Sequence, residues 1–241
     1  MTEKVVDRSA NEIPKTSKDN HKYEFTDEHI TVVINGETHT LYRIKATKDI
    51  IDESGNIIAK KGDLGGFIEK EENLDYHSNA WVSDNAMVFG DAKVTDSALV
   101  CENAKVYGYA WVSGYARVSG NALVFEYARV SGHAKIQENA QVFGRSFVGG
   151  NALISGNAQV SGYAMITGDA VVTYDAIITE NAWVSGSAFI NVRKTINGHR
   201  RVTGTTSAVF SLLRSDDSKN DDSGYDFRNV LRGSKDNYSY K

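Results

Sequence analysis

The chain has 241 residues, 41% of them hydrophobic and 24% charged, with a net charge of −4. That is enough for one large domain or two small ones. The net charge is −5 over 1–79, −2 over 80–193 and +3 over 194–241, so no segment is basic enough to track phosphates or acidic enough to mimic DNA. Cys101 is the single cysteine, which excludes an internal disulfide, and no stretch approaches the length of a membrane span.

Residues 1–20 are polar and carry no apolar run of signal-peptide length. They read as a disordered arm, and the chain as a soluble, cytoplasmic protein. The segment 21–79 reads as a β cap. HITVVINGETHTLYRIKA (29–46) is two strands about Asn35-Gly36, a strong hairpin signal. IIDESGNIIAKKGDLGGFI (50–68) suggests a second hairpin. Gly62, Gly65 and Gly66 lack the Lys-Ser/Thr and the following helix of a phosphate-binding loop, so they read as a turn leading onward.

From Ala80 to Arg193 a six-residue unit repeats nineteen times without insertion or deletion. It runs Ala, any residue, Val or Ile, any residue, then a two-residue corner, as in AWVSDN at 80–85. A strict short period is the mark of a solenoid. Residues two apart in a strand face the same way, so Ala and Val/Ile point inward. The Val/Ile column is complete, and the Ala column breaks once, at Ser146. The fifth position is Gly in eleven units and otherwise mostly Asp or Glu; Gly suits a left-handed turn there.

Three units make one triangular coil, so an eighteen-residue period is expected. Every third corner gives Asn85, Asn103, Asn121, Asn139 and Asn157, an amide ladder. The second face carries Phe89, Tyr107, Phe125 and Phe143 in one column. The expected fold is all-β: a three-sided parallel β-helix (β-solenoid) of just over six coils. An N-terminal β-hairpin caps it, and a short C-terminal extension follows.

After Arg193 the pattern is expected to stop. In 194–241, SAVFSLLRS and DFRNVLRG suggest two short amphipathic helices. Their apolar residues, Phe210, Leu212, Leu213, Phe227, Val230 and Leu231, form a candidate docking motif. The plain alternative is a cap and a floppy end.

Hexads of this form resemble the left-handed β-helix of hexapeptide-repeat proteins. The stretches LYRIKATKDI (41–50) and KKGDLGGFIEKEENL (60–74) are similar to the N-terminal region of YdcK-like bacterial and phage proteins. The resemblance implies the fold strongly and an activity hardly at all. The best-known enzymes of the hexapeptide-repeat class are CoA-dependent acyltransferases with a catalytic His and a loop leaving the coil. Here the repeat holds only His133, at a corner, and its register leaves no room for a loop. Zinc enzymes on this fold use three His; His21, His29, His39, His77 and His199 form no ligand pair at useful spacing. No catalytic residue, metal site or cofactor is therefore assigned. Cys101 is expected to face outward with no basic neighbour.

The outward residues carry a stronger signal. Met87, Phe89, Tyr107, Leu123, Phe125 and Phe143 on face two, with Trp111 and Trp183 on face three, are candidate interface residues, because stacked apolar columns exceed what monomers usually expose. Either a terminal segment folds back over them or a partner covers them. The function expected is a non-enzymatic scaffold or protein-interaction module of phage or prophage origin. Its partner would be a host defence protein or a virion component, and it would self-associate as a dimer or trimer. A nucleic-acid partner is disfavoured, and the competing reading is the CoA-dependent acyltransferase.

Overall fold

The computed structural model describes residues 22–52, 54–191 and 193–204, together with Pro14. From Ala80 onward each unit contributes one short strand, and successive strands pass to successive faces. Face one holds seven strands, from Trp81–Val82 to Phe189–Asn191, and face three holds seven, from Lys93–Val94 to Arg201–Gly204. Face two is a ten-stranded sheet, because the N-terminal strands extend it. Each strand pairs in parallel with the one eighteen residues on, as Lys105↔Leu123 and Trp111↔Arg129 do.

The inner columns are sealed: the Ala and Val/Ile side chains are buried from Ala80 to Ile190. Each fully buried Val or Ile contributes roughly 1.5–3 kcal/mol, and Ala lets the three walls approach closely. Ser146, the one departure, is also buried, and its hydroxyl donates to the Phe143 carbonyl at 2.7 Å. A buried hydroxyl with a partner is tolerated.

The fifth position takes positive φ at every described corner from Asp84 (57°) to Gly186 (66°). Seven of these corners carry a side chain: Asp84, Asp96, Glu102, Glu126, Glu138, Tyr174 and Glu180. At most corners the next residue donates its N–H to the fifth-position carbonyl one coil on, as Asn103 does to Gly120 at 2.9 Å.

The register does not stop at Arg193. Ile196 and Val202 keep the inner column, Gly198 keeps the left-handed corner (69°), and Thr195–Ile196 and Arg201–Gly204 pair onto faces two and three. Lys194 and Arg200 replace the Ala here, which hides the pattern. The last coil can carry long residues because the described stack places no further coil on it.

At the other end, β1 (Tyr23–Ile34) and β2 (Glu37–Ala46) form an antiparallel hairpin about Asn35-Gly36. The short strands β3 (Ile50–Ile51) and β4 (Ile57–Ala59) pair antiparallel with each other. Then β5 (Leu64–Ile68) pairs antiparallel with β2 and parallel with Met87–Val88. It converts a hairpin into the first rung of face two. Gly65 and Gly66 lie within β5, not in a turn. A Cβ on Gly65 would come within 2.6 Å of Ile44 Cγ1 and 2.9 Å of Trp81 Cζ2, and one on Gly66 within 2.6 Å of the Ala86 carbonyl. Close packing explains these glycines.

Leu74 continues the partial coil by bridging to Val94 on face three. Buried Asn73 fastens it: Nδ2 donates to the carbonyls of Gly90 and Ala92, and Oδ1 accepts from the N–H groups of Glu69 and Lys70. That uses the full capacity of the amide. Lys22 closes the face-one edge, its Nζ donating to the carbonyls of Ser78 and Ala80.

Lys22 is buried, and desolvation lowers its pKa from 10.5 to about 7, with Asp75 opposing and Lys48 assisting. The unfolded chain therefore binds the proton more tightly between pH 7 and 10.5. Stability rises with pH across that window. We expect the wild type to gain roughly 1–2 kcal/mol between pH 7 and 9, with Lys22→Met losing this gain. Tyr23, raised by burial and by Glu71, Glu72 and Asp75, works the opposite way only above pH ~10. Guanidinium unfolding followed by near-UV circular dichroism checks this; equal pH dependence in both proteins would rule it out.

Candidate interaction surfaces

The aromatic column of face two is real and partly internal. The rings of Phe89, Tyr107, Phe125 and Phe143 stack at 5.0, 5.0 and 4.9 Å, within 5° of parallel. Strand spacing of about 4.8 Å imposes that repeat. The hairpin folds over its first rung. Phe89 is 1% exposed and packs with Ile30, Val32, Leu41 and Phe67, while Ile34, Met87 and Tyr107 lie at the margin. The His39 ring lies 5.1 Å from that of Phe89. Glu69 ties the two parts together, accepting the Gly90 N–H at 2.6 Å and meeting His39 Nδ1 at 2.9 Å. Phe125, Phe143 and Leu123 stay half-buried beyond the hairpin.

Two residues at outward positions of the repeat, Trp81 at the second and Cys101 at the fourth, do not reach solvent. Trp81 is buried under the cap. Cys101 is buried too, and it has a cationic neighbour, Arg117. Burial outweighs that cation and pushes the thiol up to about 11, so Cys101 is mostly an unreactive thiol at neutral pH.

The Asn corner is a bonded ladder over its upper half. Asn121 Nδ2 donates to Asn139 Oδ1 and Asn139 Nδ2 to Asn157 Oδ1, both at 3.1 Å, and Asn157 Nδ2 donates to Asp175 Oδ1 at 2.9 Å. Asn85 and Asn103 stand exposed at the same corner below them.

A second ladder went unread in the sequence. At the fifth position, side chains reach one coil on to accept a backbone N–H: Asp84 from Glu102, Asp96 from Gly114, Glu102 from Gly120, Glu126 from Gly144, Glu138 from Gly156 and Glu180 from Gly198, at 2.7–3.0 Å. The signal was present: five of these six acids have Gly eighteen residues later.

Face three and its leading corner are the most exposed aromatic region. Tyr109, Tyr127 and Tyr163 are 58%, 52% and 60% exposed, and Trp111 is 44% exposed. The rings of Tyr109 and Tyr127 stack at 4.9 Å. Arg145 lies between the next two, its guanidinium 5.6 Å from the Tyr127 ring and 5.7 Å from Tyr163. On the flat of the face, Arg129 lies 5.9 Å from the Trp111 ring and Arg201 3.9 Å from half-buried Trp183. Each indole is anchored: Trp111 Nε1 donates to Thr95 at 3.0 Å and Trp183 Nε1 to Thr167 at 3.5 Å. The corner tyrosines escaped the sequence reading because only strand positions were scored as outward.

His133 is exposed at the opposite corner, its ring stacked on Tyr115 at 4.7 Å. Among the described residues no group of three His, Cys, Asp or Glu could hold a metal ion, and no helix is long and apolar enough to cross a membrane. The tail residues Phe210, Leu212, Leu213, Phe227, Val230 and Leu231, like the arm 1–20 apart from Pro14, lie outside the described residues.

No curated protein matches the chain. A family model described as YdcK beta solenoid repeat matches residues 116–132, one residue short of a full coil. In that repeat and in the coil built from it, the chain is similar to YdcK-type β-solenoid proteins.

Proposed function

We propose that the protein is a non-catalytic scaffold that binds another protein through face three. The exposed row of Tyr109, Trp111, Tyr127 and Tyr163, set at coil spacing beside Arg129 and Arg145, carries this reading. Trp, Tyr and Arg are the side chains that dominate protein interfaces. A solenoid wall holds them in place, so little ordering cost falls on binding. Face two, half-covered by the chain's own hairpin, is the weaker candidate. Partners of the kinds expected from the YdcK-like resemblance, a virion component or a host protein, fall within this reading, as does self-association.

The double substitution Trp111→Ser with Tyr127→Ser should abolish capture of the partner from host lysate and lower any self-associated mass in light scattering. Circular dichroism should stay unchanged, because both side chains project from the wall. Undiminished capture and mass would sink face three as the interface. Specific micromolar binding of acetyl-CoA in calorimetry would instead favour an acyltransferase.

A further inference from the structure

Charge on the solenoid is sorted by position. All nine acidic residues from 80 to 193 lie at the fifth or sixth position of a unit, which is the corner. Five of the seven basic residues (Lys93, Lys105, Arg117, Arg129 and Lys135) project from the flats. The near-neutral total therefore conceals faces whose flats carry cations and no carboxylate.

Face three shows the consequence most clearly. Every carboxylate along its two borders is already engaged. Glu126, Glu180 and Asp96 accept the N–H groups of Gly144, Gly198 and Gly114. Asp91 pairs with Lys70 at 2.7 Å, and Asp169 accepts from Asn151 Nδ2 at 2.7 Å. The cations are not engaged in the same way. Among the described residues Arg129, Arg145 and Arg201 form no ion pair; they lie against Trp111, Tyr127 with Tyr163, and Trp183. An arginine held over an aromatic ring keeps its guanidinium edge free for a carboxylate.

Resting on the scaffold reading, we propose that face three takes an acidic peptide segment of a partner protein, laid along the solenoid axis. Arg129 and Arg201 are four coils apart, about 19 Å at strand spacing. The cationic row from Lys93 to Arg201 spans six steps, about 29 Å, the length of some nine residues of extended chain. The spacing selects a peptide over a nucleic acid. A polynucleotide carries a charge at every step and would run beside the corner carboxylates; a peptide can place single Asp or Glu residues over the arginines and apolar ones over Trp111 and Met165.

The test is selection of random nonapeptides displayed on phage against the full-length protein, followed by fluorescence anisotropy of the selected peptides. The expected peptides carry net negative charge with spaced acidic residues. They should bind the Arg129→Ser/Arg201→Ser variant at least tenfold more weakly, and weaken with salt. Arg117→Ser/Lys135→Ser on face one should leave binding unchanged. Peptides without acidic bias, equal binding by the face-three arginine variant, or failure to select any peptide would each overturn the proposal. So would tighter binding of a twelve-nucleotide oligo-dT than of the best peptide. Neutral peptides that are lost on Trp111→Ser/Tyr127→Ser would remove the acidic preference and leave the scaffold reading standing.

Discussion

Gly120→Val is expected to destabilise the solenoid by about 3 kcal/mol, whereas Gly198→Val should cost about 1–2 kcal/mol. Both glycines hold a left-handed corner, at φ 71° and 69°, so both substitutions carry the conformational penalty of a side chain there. They differ in what lies one coil on. A Cβ on Gly120 would meet the Glu138 backbone N at 2.6 Å and its carbonyl O at 2.8 Å, while a Cβ on Gly198 has nothing within 4 Å. Backbone cannot rotate away as a side-chain tip can. The corner of the next coil would have to move, dragging the carbonyl to which the Asn121 N–H donates. Val adds the stiffness of a branched Cβ. Guanidinium unfolding of the two variants separates the contributions, and equal losses would show that conformation alone sets the glycine pattern. Such losses propagate, because each coil contacts only its neighbours.

Much of this architecture was legible because one physical rule is applied at every unit. Ala and Val/Ile two apart point inward, and the fifth position turns; eighteen-residue columns follow from three walls. What escaped was set by departures from uniform repetition. The final described coil was invisible because Lys194 and Arg200 stand where the other units have Ala. Trp81 and Cys101 read as outward from strand alternation, yet both are buried, and Trp81 lies under a cap that obeys different rules. The acidic corner ladder was missed because the Asp and Glu at the fifth position were read only as occasional substitutes for Gly. A left-handed corner turns its N–H toward the preceding coil, where a carboxylate is the natural acceptor.

The same logic separates the surface from the wall. Inward positions are constrained by neighbours above and below, so they are nearly invariant along the chain. Corner acids are constrained by the N–H groups they accept. Tyr109, Tyr127 and Tyr163 are under no such demand, since Asp91, Asn181 and His199 hold equivalent positions in the same column. Residues that the fold does not require, and that still recur as aromatics, are where binding should be sought.

Deleting residues 1–46 is expected to convert the protein into large soluble oligomers or precipitate. The deletion removes β1 and β2 but leaves β5, whose outer edge then offers unpaired N–H and C=O groups at the end of a flat parallel stack. Such an edge is a template for another chain. In the intact protein β2 pairs with that edge, and β1 covers β2 in turn. The deletion also uncovers Phe89 and Phe67, both 1% exposed in the whole chain, and removes Lys22 from the carbonyls of Ser78 and Ala80. Apolar surface and open backbone would thus appear together at one end. Light scattering of the truncated protein beside the full chain reads the outcome. A truncated protein with the same association state as the full chain would mean that β5 and the Leu74 turn suffice as a cap. Charge restored on the edge offers a finer test. Leu64→Lys in the deletion background places a cation at the start of β5, and it should reduce the oligomers if edge pairing, rather than exposed Phe89, drives them.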